Sequence, residues 1–410
     1  MAKLLRWREV HHVAAYTTRL KQKSPQGVGS AAHTGRIAVC HIASGDLWAG
    51  AEAQTASLLR WLAQRDELSL SVILLNEGRL AEKARESGID VKVIPEAGKG
   101  FLQIFREATN YLRGRGIHLL HSHRYKENLL AALLAWRCQI PFVVRSQHGL
   151  PEPFGGLRHC KQSLVRVVDG LVARYATDRV ISVSSELRGH LTRYIDPRKV
   201  VVVQNGLDID QVRSNLSCEE AKEKLGIPGD YRVIGTAGRL EPIKRLDYFL
   251  QAAKLVSGRI GDARFVIAGE GRERPRLEEL AHTLGLEKQV LFLGHRSDIY
   301  DVLRALDVFV LCSDHEGLPM VLLEALYLGV PVVARSVGGI TDVVQDGVNG
   351  VLIESGETPA LAAACLDLLL DDDRKKRLAT AAIASVSEKF TAERNAAEVA
   401  GLYRSLCGIK

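Results

Sequence analysis

Two glutamates separated by seven residues have the types and spacing to hold a ligand. Glu316 lies in a turn after the apolar run 308–311, and Glu324 lies about two helical turns further on, in the apolar segment 320–326. A helix that is buried on most sides seldom carries a single carboxylate. Glu324 is therefore predicted either to pair with a base or to reach a ligand hydroxyl.

The residues between these glutamates are predicted to connect a buried strand to the N terminus of a helix. Gly317 and Pro319 mark the turn, and proline suits the first turn of a helix. A glycine turn at a helix N terminus presents free backbone N–H groups to a phosphate. The backbone around Gly317, Leu318, Pro319, Met320 and Val321 is therefore a candidate diphosphate site.

Two cations follow a second strand-to-glycine transition. The predicted strand 233–237 leads to Gly238 and Arg239, and Lys244 follows five residues later. Arginine offers a fork of donors and lysine a point charge, and both suit a pyrophosphate. A further strand ends in a Gly-x-Gly at Gly269, without the third glycine and downstream acid of a dinucleotide site.

The first half of the chain offers two histidines and a small-residue loop. His123 and His148 each follow a predicted strand, and ligands bind at the carboxyl ends of strands in parallel sheets. Gly50 ends the loop 43–50, whose small residues would let a sugar phosphate or an acceptor approach the backbone. Packed histidines and an ordinary strand-to-helix turn are the structural alternatives.

Strand and helix patterns alternate along most of the 410 residues. This alternation predicts doubly wound parallel sheets, and the length predicts about two domains.

The motifs together resemble those of the retaining GT-B glycosyltransferases of family 4, the glycosyl transferases group 1. The resemblance rests on Glu-x7-Glu with its Glu-Gly-Leu-Pro turn, on Gly-Arg-Leu followed by a lysine, and on His148-Gly149. Two positions depart from the family pattern. Ala49 replaces the first glycine of the small-residue loop, and Arg245 replaces the glycine that usually follows the lysine.

The resemblance implies an α/β fold of the GT-B type, with two doubly wound parallel-sheet Rossmann-like domains facing a cleft. It implies an acceptor-side domain over residues 36–205 and a nucleotide-sugar-binding domain over 206–388. Residues 389–410 would form a C-terminal helix that crosses back to the first domain. Residues 1–35 would be a basic, disordered tail.

The resemblance also implies the reaction and the roles of the residues. A hexosyl unit would move from a nucleoside-diphosphate sugar, with UDP or GDP as the nucleotide, to a glycan or lipid-linked acceptor, with retention and without metal or cofactor. Such enzymes commonly assemble cell-envelope polysaccharide, lipopolysaccharide or glycolipid.

The resemblance also implies roles for individual residues. Arg239 and Lys244 would stabilise the leaving diphosphate. Glu316 and His148 would hold the sugar, and Glu324 would accept hydrogen bonds from the ribose hydroxyls. The glycines, including Gly238 and Gly269, would let the donor approach the backbone.

Composition and charge limit the classes of function that the chain can have. Residues 1–35 hold six Lys/Arg against one acid, so most of the net charge of +7 lies there and the rest of the chain is nearly neutral. This argues against a nucleic-acid binder, while a tail that touches an anionic membrane, or a targeting peptide, stays open. Seven scattered cysteines without C-x-x-C suit a reducing, cytoplasmic protein.

Two rival functions use the same residues. One is a nucleotide-sugar epimerase or a phosphorylase on the same fold. The other is a catalytically silent protein that binds nucleotide sugars.

Deleting residues 1–32 is expected to leave nucleotide binding intact.

Overall fold

The computed structural model describes residues 35–45, 48–150, 167–354 and 357–409. The chain divides into two compact units. The first contains the described residues up to Gly206 together with those from Ala392 onward, and the second runs from Leu207 to Thr391. The basic tail lies outside the described residues.

The first unit is built on a seven-stranded sheet in which every pair of neighbours is parallel. Its spatial order is β3-β2-β1-β4-β5-β6-β7. The strands are β1 Ile37–Ala43, β2 Leu68–Leu74, β3 Asp90–Val93, β4 Leu119–Ser122, β5 Phe142–Gln147, β6 Arg179–Ser182 and β7 Val200–Val202. The order of the strands reverses between β1 and β4, and such a switch point is where open parallel sheets bind ligands.

Helices connect these strands and cover the sheet. The helices are α1 Gly50–Ala63, α2 Arg79–Glu86, α3 Phe101–Leu112, α4 Tyr125–Cys138 and α5 Ser185–Leu191. Strands such as β1 are buried along almost their whole length, as expected for a parallel sheet with helices on its faces.

The C-terminal helix Ala392–Cys407 belongs to this first unit. Val399 and Tyr403 join the same buried cluster as Val39 of β1. Asn395 accepts a hydrogen bond from the Gln54 side chain at 3.0 Å and donates to the Gln204 carbonyl at 2.6 Å. The helix therefore completes the core beneath β1.

The second unit is built on a six-stranded parallel sheet of order β10-β9-β8-β11-β12-β13. The strands are β8 Arg232–Ala237, β9 Ala263–Ala268, β10 Val290–Gly294, β11 Val308–Leu311, β12 Val332–Arg335 and β13 Val351–Ile353. Here the order reverses between β8 and β11. The loops that follow these two strands therefore meet at the switch point of this sheet.

Eight α-helices accompany this sheet among the described residues. They are α6 Cys218–Lys224, α7 Leu246–Ser257, α8 Arg274–Thr283, α9 Ile299–Arg304, α10 Met320–Tyr327, α11 Ile340–Val343, α12 Thr358–Leu370 and α13 Asp372–Lys389. Asp371 caps α13 by accepting from the Arg374 amide.

The predicted fold class is confirmed, because both units are doubly wound parallel α/β structures. Two local expectations differ from the structure. Pro319 is the N-cap of α10 rather than a residue of its first turn, with an extended backbone at φ −72° and ψ 128°. Gly50 is the first residue of α1 rather than the last residue of a loop. In the described part of the chain, no helix is long and apolar enough to cross a membrane.

Candidate active site

Lys244 and Glu316 form an ion pair at the switch point of the second sheet. Lys244 Nζ lies 2.5 Å from Glu316 Oε1, and Ser313 Oγ donates to the same oxygen at 2.5 Å. Glu316 is only 7% exposed. A carboxylate this buried is costly unless it is paired and hydrogen-bonded, and here it is both. The predicted phosphate-binding cation and the predicted sugar-binding acid are thus direct partners.

Backbone contacts hold the two loops in register. The Asp314 amide donates to the Ile243 carbonyl at 2.9 Å, one residue before Lys244. Lys244 ends the 3₁₀ segment Pro242–Lys244, and its side chain reaches Glu316 in the loop after β11. The distance between Lys244 and Glu316 is therefore set by main-chain bonds rather than by flexible side chains alone.

Glycines let neighbouring loops pack backbone against backbone around this pair. A Cβ on Gly339 would lie 2.0 Å from the Gly317 carbonyl oxygen, and one on Gly269 would lie 1.9 Å from that of Gly238. The Gly339 amide donates to the Gly317 carbonyl at 2.7 Å. The glycine requirement at Gly269 thus comes from loop packing. Gly339, outside the predicted site, braces the turn that carries Glu316.

The N terminus of α10 follows this turn without a side-chain cap among the described residues. The Leu322 amide donates to the Pro319 carbonyl at 3.2 Å, whereas the amides of Met320 and Val321 have no acceptor in the described structure. The side chains of Leu318 and Met320 are buried. Any ligand contact from these positions therefore falls to the main chain, as expected for an anion site at a helix N terminus.

Glu324 lies on α10, one turn beyond these amides. Burial raises the pKa of its carboxyl from 4.5 to about 7. No side-chain hydrogen bond from a described residue accompanies this carboxyl, so the base expected as one of two alternatives does not appear among those residues. The contact of Glu324 with a ligand hydroxyl stays a prediction.

The two cationic positions on either side of Lys244 differ. Arg239 is exposed at the end of β8. Arg245 has a left-handed backbone with φ 49° and ψ 44°, the conformation that a glycine adopts most easily. Its guanidinium pairs with Asp247 at 3.1 Å and contacts Asp314 at 3.3 Å. The departure from the family glycine thus keeps the glycine-like backbone and adds a side chain held by two carboxylates.

In the first unit, four histidines gather where β1, β4 and β5 end. His41 and His121 are direct partners across the β1–β4 pair, and His123 follows two residues later. His148, one residue after β5, stacks on His123 with ring centroids 5.7 Å apart. The nitrogens of His41, His121 and His123 that could hold a metal lie within 4.8 Å of one another, but each ring nitrogen of these three residues already has a hydrogen-bond partner.

The turn that carries His148 is fixed by polar contacts. Gln147 donates from its side-chain amide to the Gly149 carbonyl at 2.6 Å and accepts from Arg145 at 2.6 Å. Arg145 is 1% exposed and pairs with Asp169 at 2.9 Å.

Gly50 lies at the start of α1, where Glu52 pairs with Arg124.

Sequence reasoning missed four residues of these two sites: His41, His121, Ser313 and Tyr403. The signal for His41 and His121 was present, because a histidine inside an apolar strand needs a buried polar partner. Tyr403 lies more than 250 residues from both histidines, and no local pattern connects them.

The family model described as Glycosyl transferases group 1 matches residues 217–385, and that described as Glycosyltransferase Family 4 matches residues 48–211. The D-inositol 3-phosphate glycosyltransferase of Corynebacterium urealyticum is 32% identical over 318 residues, which cover 72% of either protein. The UDP-Gal:alpha-D-GlcNAc-diphosphoundecaprenol alpha-1,3-galactosyltransferase of Escherichia coli is 34% identical over 242 residues, covering 58% of this chain and 62% of that protein.

Solved structures share the fold. HepE of Anabaena, crystallised with UDP-glucose, superposes with a TM-score of 0.79 at 22% identity, covering 90% of this chain and 100% of that one. WaaG, described as a glycosyltransferase involved in lipopolysaccharide biosynthesis, gives a TM-score of 0.70 at 15% identity, covering 90% and 99%.

The loop packing predicts the effect of Gly339→Ala. The backbone at Gly339 has φ −72°, which alanine adopts freely, so the added methyl acts only through its clash with the Gly317 carbonyl. We expect a loss of roughly 1–3 kcal/mol in the free energy of unfolding, measured by denaturant titration. Gly261→Ala is the matched control, since no described atom lies within 4 Å of its Cβ position. Equal stability of the two variants would contradict the bracing.

The raised pKa of Glu324 predicts a pH-dependent stability. Because the folded protein binds this proton more tightly than the unfolded chain, the stabilisation is present at low pH and is lost as pH rises from about 4.5 through about 7. The free energy of unfolding of the wild type should therefore fall, relative to that of Glu324→Gln, across this window. Denaturation at several pH values measures the difference, with the exposed Glu279→Gln as control. A constant difference would show that folding does not raise the pKa of Glu324.

Proposed function

Because the chain belongs to the glycosyl transferases group 1 of glycosyltransferase family 4, we propose that it transfers a hexosyl unit from a nucleoside-diphosphate sugar to a glycan or lipid-linked acceptor, with retention at the anomeric carbon. The observation that carries the proposal is the Lys244–Glu316 pair at the switch point of the second sheet. A cation suited to a diphosphate and an acid suited to sugar hydroxyls are neighbours there, which supports the proposal.

The donor site follows from three features of the second unit. Lys244, Arg239 and the amides at the start of α10 offer positive charge and N–H donors to a diphosphate. Glu324 offers a carboxyl without a described partner to the ribose hydroxyls. UDP is the preferred nucleotide of the proposal, since HepE was crystallised with UDP-glucose and the name of the E. coli relative includes UDP-Gal. GDP is the second choice.

Departure of the diphosphate is the step that most needs stabilisation by the protein. As the bond from the anomeric carbon to the phosphate oxygen breaks, negative charge builds on the diphosphate, and Lys244 and Arg239 stabilise it. The acceptor oxygen bonds to the anomeric carbon on the same face, and its proton passes to the departing phosphate. No protein nucleophile is assigned.

The ion pair links recognition of the diphosphate to recognition of the sugar. When a diphosphate draws Lys244 toward itself, Glu316 loses part of the positive charge that balances its carboxylate. The carboxylate stays buried and keeps the hydrogen bond from Ser313. Hydroxyl groups of a sugar restore that compensation, whereas a bare nucleotide brings none. Glu316 thus favours a nucleotide that carries its sugar. His148 is proposed as a hydrogen-bond donor to the same substrate.

The acceptor is proposed at the level of its class. The names of the E. coli relative and of WaaG refer to a diphosphoundecaprenol glycan and to lipopolysaccharide. A lipid-linked acceptor in the assembly of cell-envelope glycan follows from these similarities. Work at the inner face of a membrane, through peripheral contact with anionic lipid, belongs to the same proposal.

Calorimetric titration with UDP, GDP, ADP and CDP tests the donor site. We expect selective binding of one nucleotide, weakened about tenfold or more by Lys244→Ala, which equals a loss of roughly 1.4 kcal/mol or more. Lys244→Ala also leaves the buried Glu316 without its cation and should lower stability, so binding and turnover are measured under conditions where the variant is folded, and there the loss of turnover should be far larger than the unfolded fraction explains. The exposed Lys254→Ala should leave binding unchanged. If the folded Lys244→Ala variant binds nucleotide and turns over as the wild type does, or if no nucleotide binds, the donor-site assignment is wrong.

The reaction is expected to need no divalent metal, since Lys244 and Arg239 supply the positive charge. Turnover should persist in a chelator, and the new glycosidic bond should keep the anomeric configuration of the donor, as read by proton NMR of the product. Loss of turnover that a divalent ion restores would reject the metal-free mechanism. An inverted product would reject retention.

A further inference from the structure

Arg245 has a left-handed backbone, which among the described residues other than glycine only Gln139 shares. The φ of Arg245 is 49°, and that of Gln139 is 58°. A positive φ costs free energy in a residue with a Cβ, and it persists where the surrounding contacts hold it. Gln139 ends α4, and helices commonly end with a left-handed residue. Arg245 instead lies between Lys244 and the start of α7, so its conformation needs another cause.

The side chain of Arg245 joins two carboxylates. Its Nε and Nη2 each donate to one oxygen of Asp247 at 3.1 Å, and its Nη1 lies 3.3 Å from both oxygens of Asp314. The guanidinium also lies over the ring of Tyr248, with 3.6 Å between its central carbon and the ring centroid. All three guanidinium nitrogens are therefore engaged, and the rigid, planar fork of arginine suits this double contact.

Asp314 holds the chain on both sides of Lys244. Its amide donates to the Ile243 carbonyl at 2.9 Å, and its carboxylate accepts from Arg245. Ile243 and Arg245 are the two neighbours of Lys244 in the sequence, and Asp314 lies two residues before Glu316. These contacts therefore tie the loop that carries Lys244 to the loop that carries Glu316, in addition to the ion pair between the two residues.

A second arginine supports Asp314 from its own side of the site. Arg335 Nη1 donates to Asp314 Oδ1, and it lies 3.3 Å from the Cys312 carbonyl oxygen and 3.4 Å from that of Ser313. Only 17% of the Arg335 side chain is exposed. Asp314 therefore stays paired when Arg245 is replaced, and the loop after β11 keeps this support.

We propose that Arg245 is a positioning residue for Lys244. Its contacts with Asp247 and Asp314, which we call the Arg245 clamp, hold the Lys244 loop against the Glu316 loop and offset the cost of the left-handed backbone. Lys244 is then in place before charge builds on the leaving diphosphate. The role of Lys244 in this inference rests on the proposed function. The tie between the two loops is a property of the free protein.

The alternative role for Arg245 is a further positive charge that attracts the donor. Two carboxylates contact its guanidinium, so little of its charge is left for a diphosphate. Arg245→Lys separates the two roles, because lysine keeps the charge and loses the planar fork. Under the proposal this variant loses the clamp, whereas under the alternative it keeps wild-type turnover.

Amide hydrogen exchange in the free full-length protein, read by mass spectrometry on peptides that contain Asp314, tests the clamp. Glycine adopts a left-handed backbone freely, so Arg245→Gly should fold with a denaturation midpoint near that of the wild type. The Asp314 amide should exchange about fivefold faster in Arg245→Gly and in Arg245→Lys. Position 245 lies far from Asp314 in the sequence, so neither substitution changes the intrinsic exchange rate of this amide.

Gln139→Gly is the matched control, since it replaces the left-handed residue of the first unit, outside both candidate sites. This variant should leave the exchange of the Asp314 amide and the turnover unchanged.

Turnover separates positioning from attraction of the donor. Arg245→Gly and Arg245→Lys should lower kcat/KM about tenfold, with most of the fall in kcat, because a displaced Lys244 stabilises the transition state less. Attraction alone would instead raise KM at unchanged kcat. Arg245→Gly combined with Asp314→Asn should lose no more than the larger of the two single changes, because both break the same contact.

Exchange at Asp314 that matches the wild type in folded Arg245→Gly would overturn the proposal. So would a rise in KM at unchanged kcat, wild-type turnover of Arg245→Lys, or losses from Arg245→Gly and Asp314→Asn that add. If the wild type transfers no sugar, the proposed function fails, and the exchange of the Asp314 amide then decides on the clamp by itself.

Discussion

The pairing of Lys244 with Glu316 is the interaction on which the rest of the second unit depends. A buried carboxylate must be compensated, and the fold compensates it with the cation that the proposed chemistry also uses. Around this pair, the glycines at 317 and 339 allow main chains to touch, and the Asp314 amide ties the two loops together. The site is therefore positioned by backbone contacts, and its two charged side chains hold each other in place.

The first unit applies the same topology to different chemistry. In both sheets the strand order reverses beside the first strand of the unit. The functional candidates follow β8 and β11 in the second unit, and in the first unit they lie in or just after β1, β4 and β5. In the second unit the switch point holds charges, whereas in the first it holds neutral imidazoles and a tyrosine. Burial explains the difference, because it lowers the pKa values of the histidines. These rings therefore act as neutral hydrogen-bonding groups rather than as charges.

The sequence predicted the fold class and the strand-to-turn positions of Lys244, Glu316 and His148, because period and turn residues are local properties. It did not predict that Lys244 and Glu316 are partners, since the contact joins residues 72 positions apart. It placed glycines such as Gly269 at the ligand, whereas their immediate structural cause is the neighbouring loop. Arg245 shows the converse, because a residue that breaks the family pattern adopts the backbone of the glycine that it replaces. The assigned roles of the site residues stay predictions.

A crystal structure of the protein with a bound, unreacted nucleotide sugar tests the central claim most directly. The distance from Lys244 Nζ to the nearest diphosphate oxygen, and the groups around Glu316, are the quantities to measure. The account predicts that Lys244 contacts the diphosphate and that sugar hydroxyls donate to Glu316 in its place. A nucleotide sugar bound elsewhere, with the pair between Lys244 and Glu316 intact and no phosphate near either residue, would contradict it.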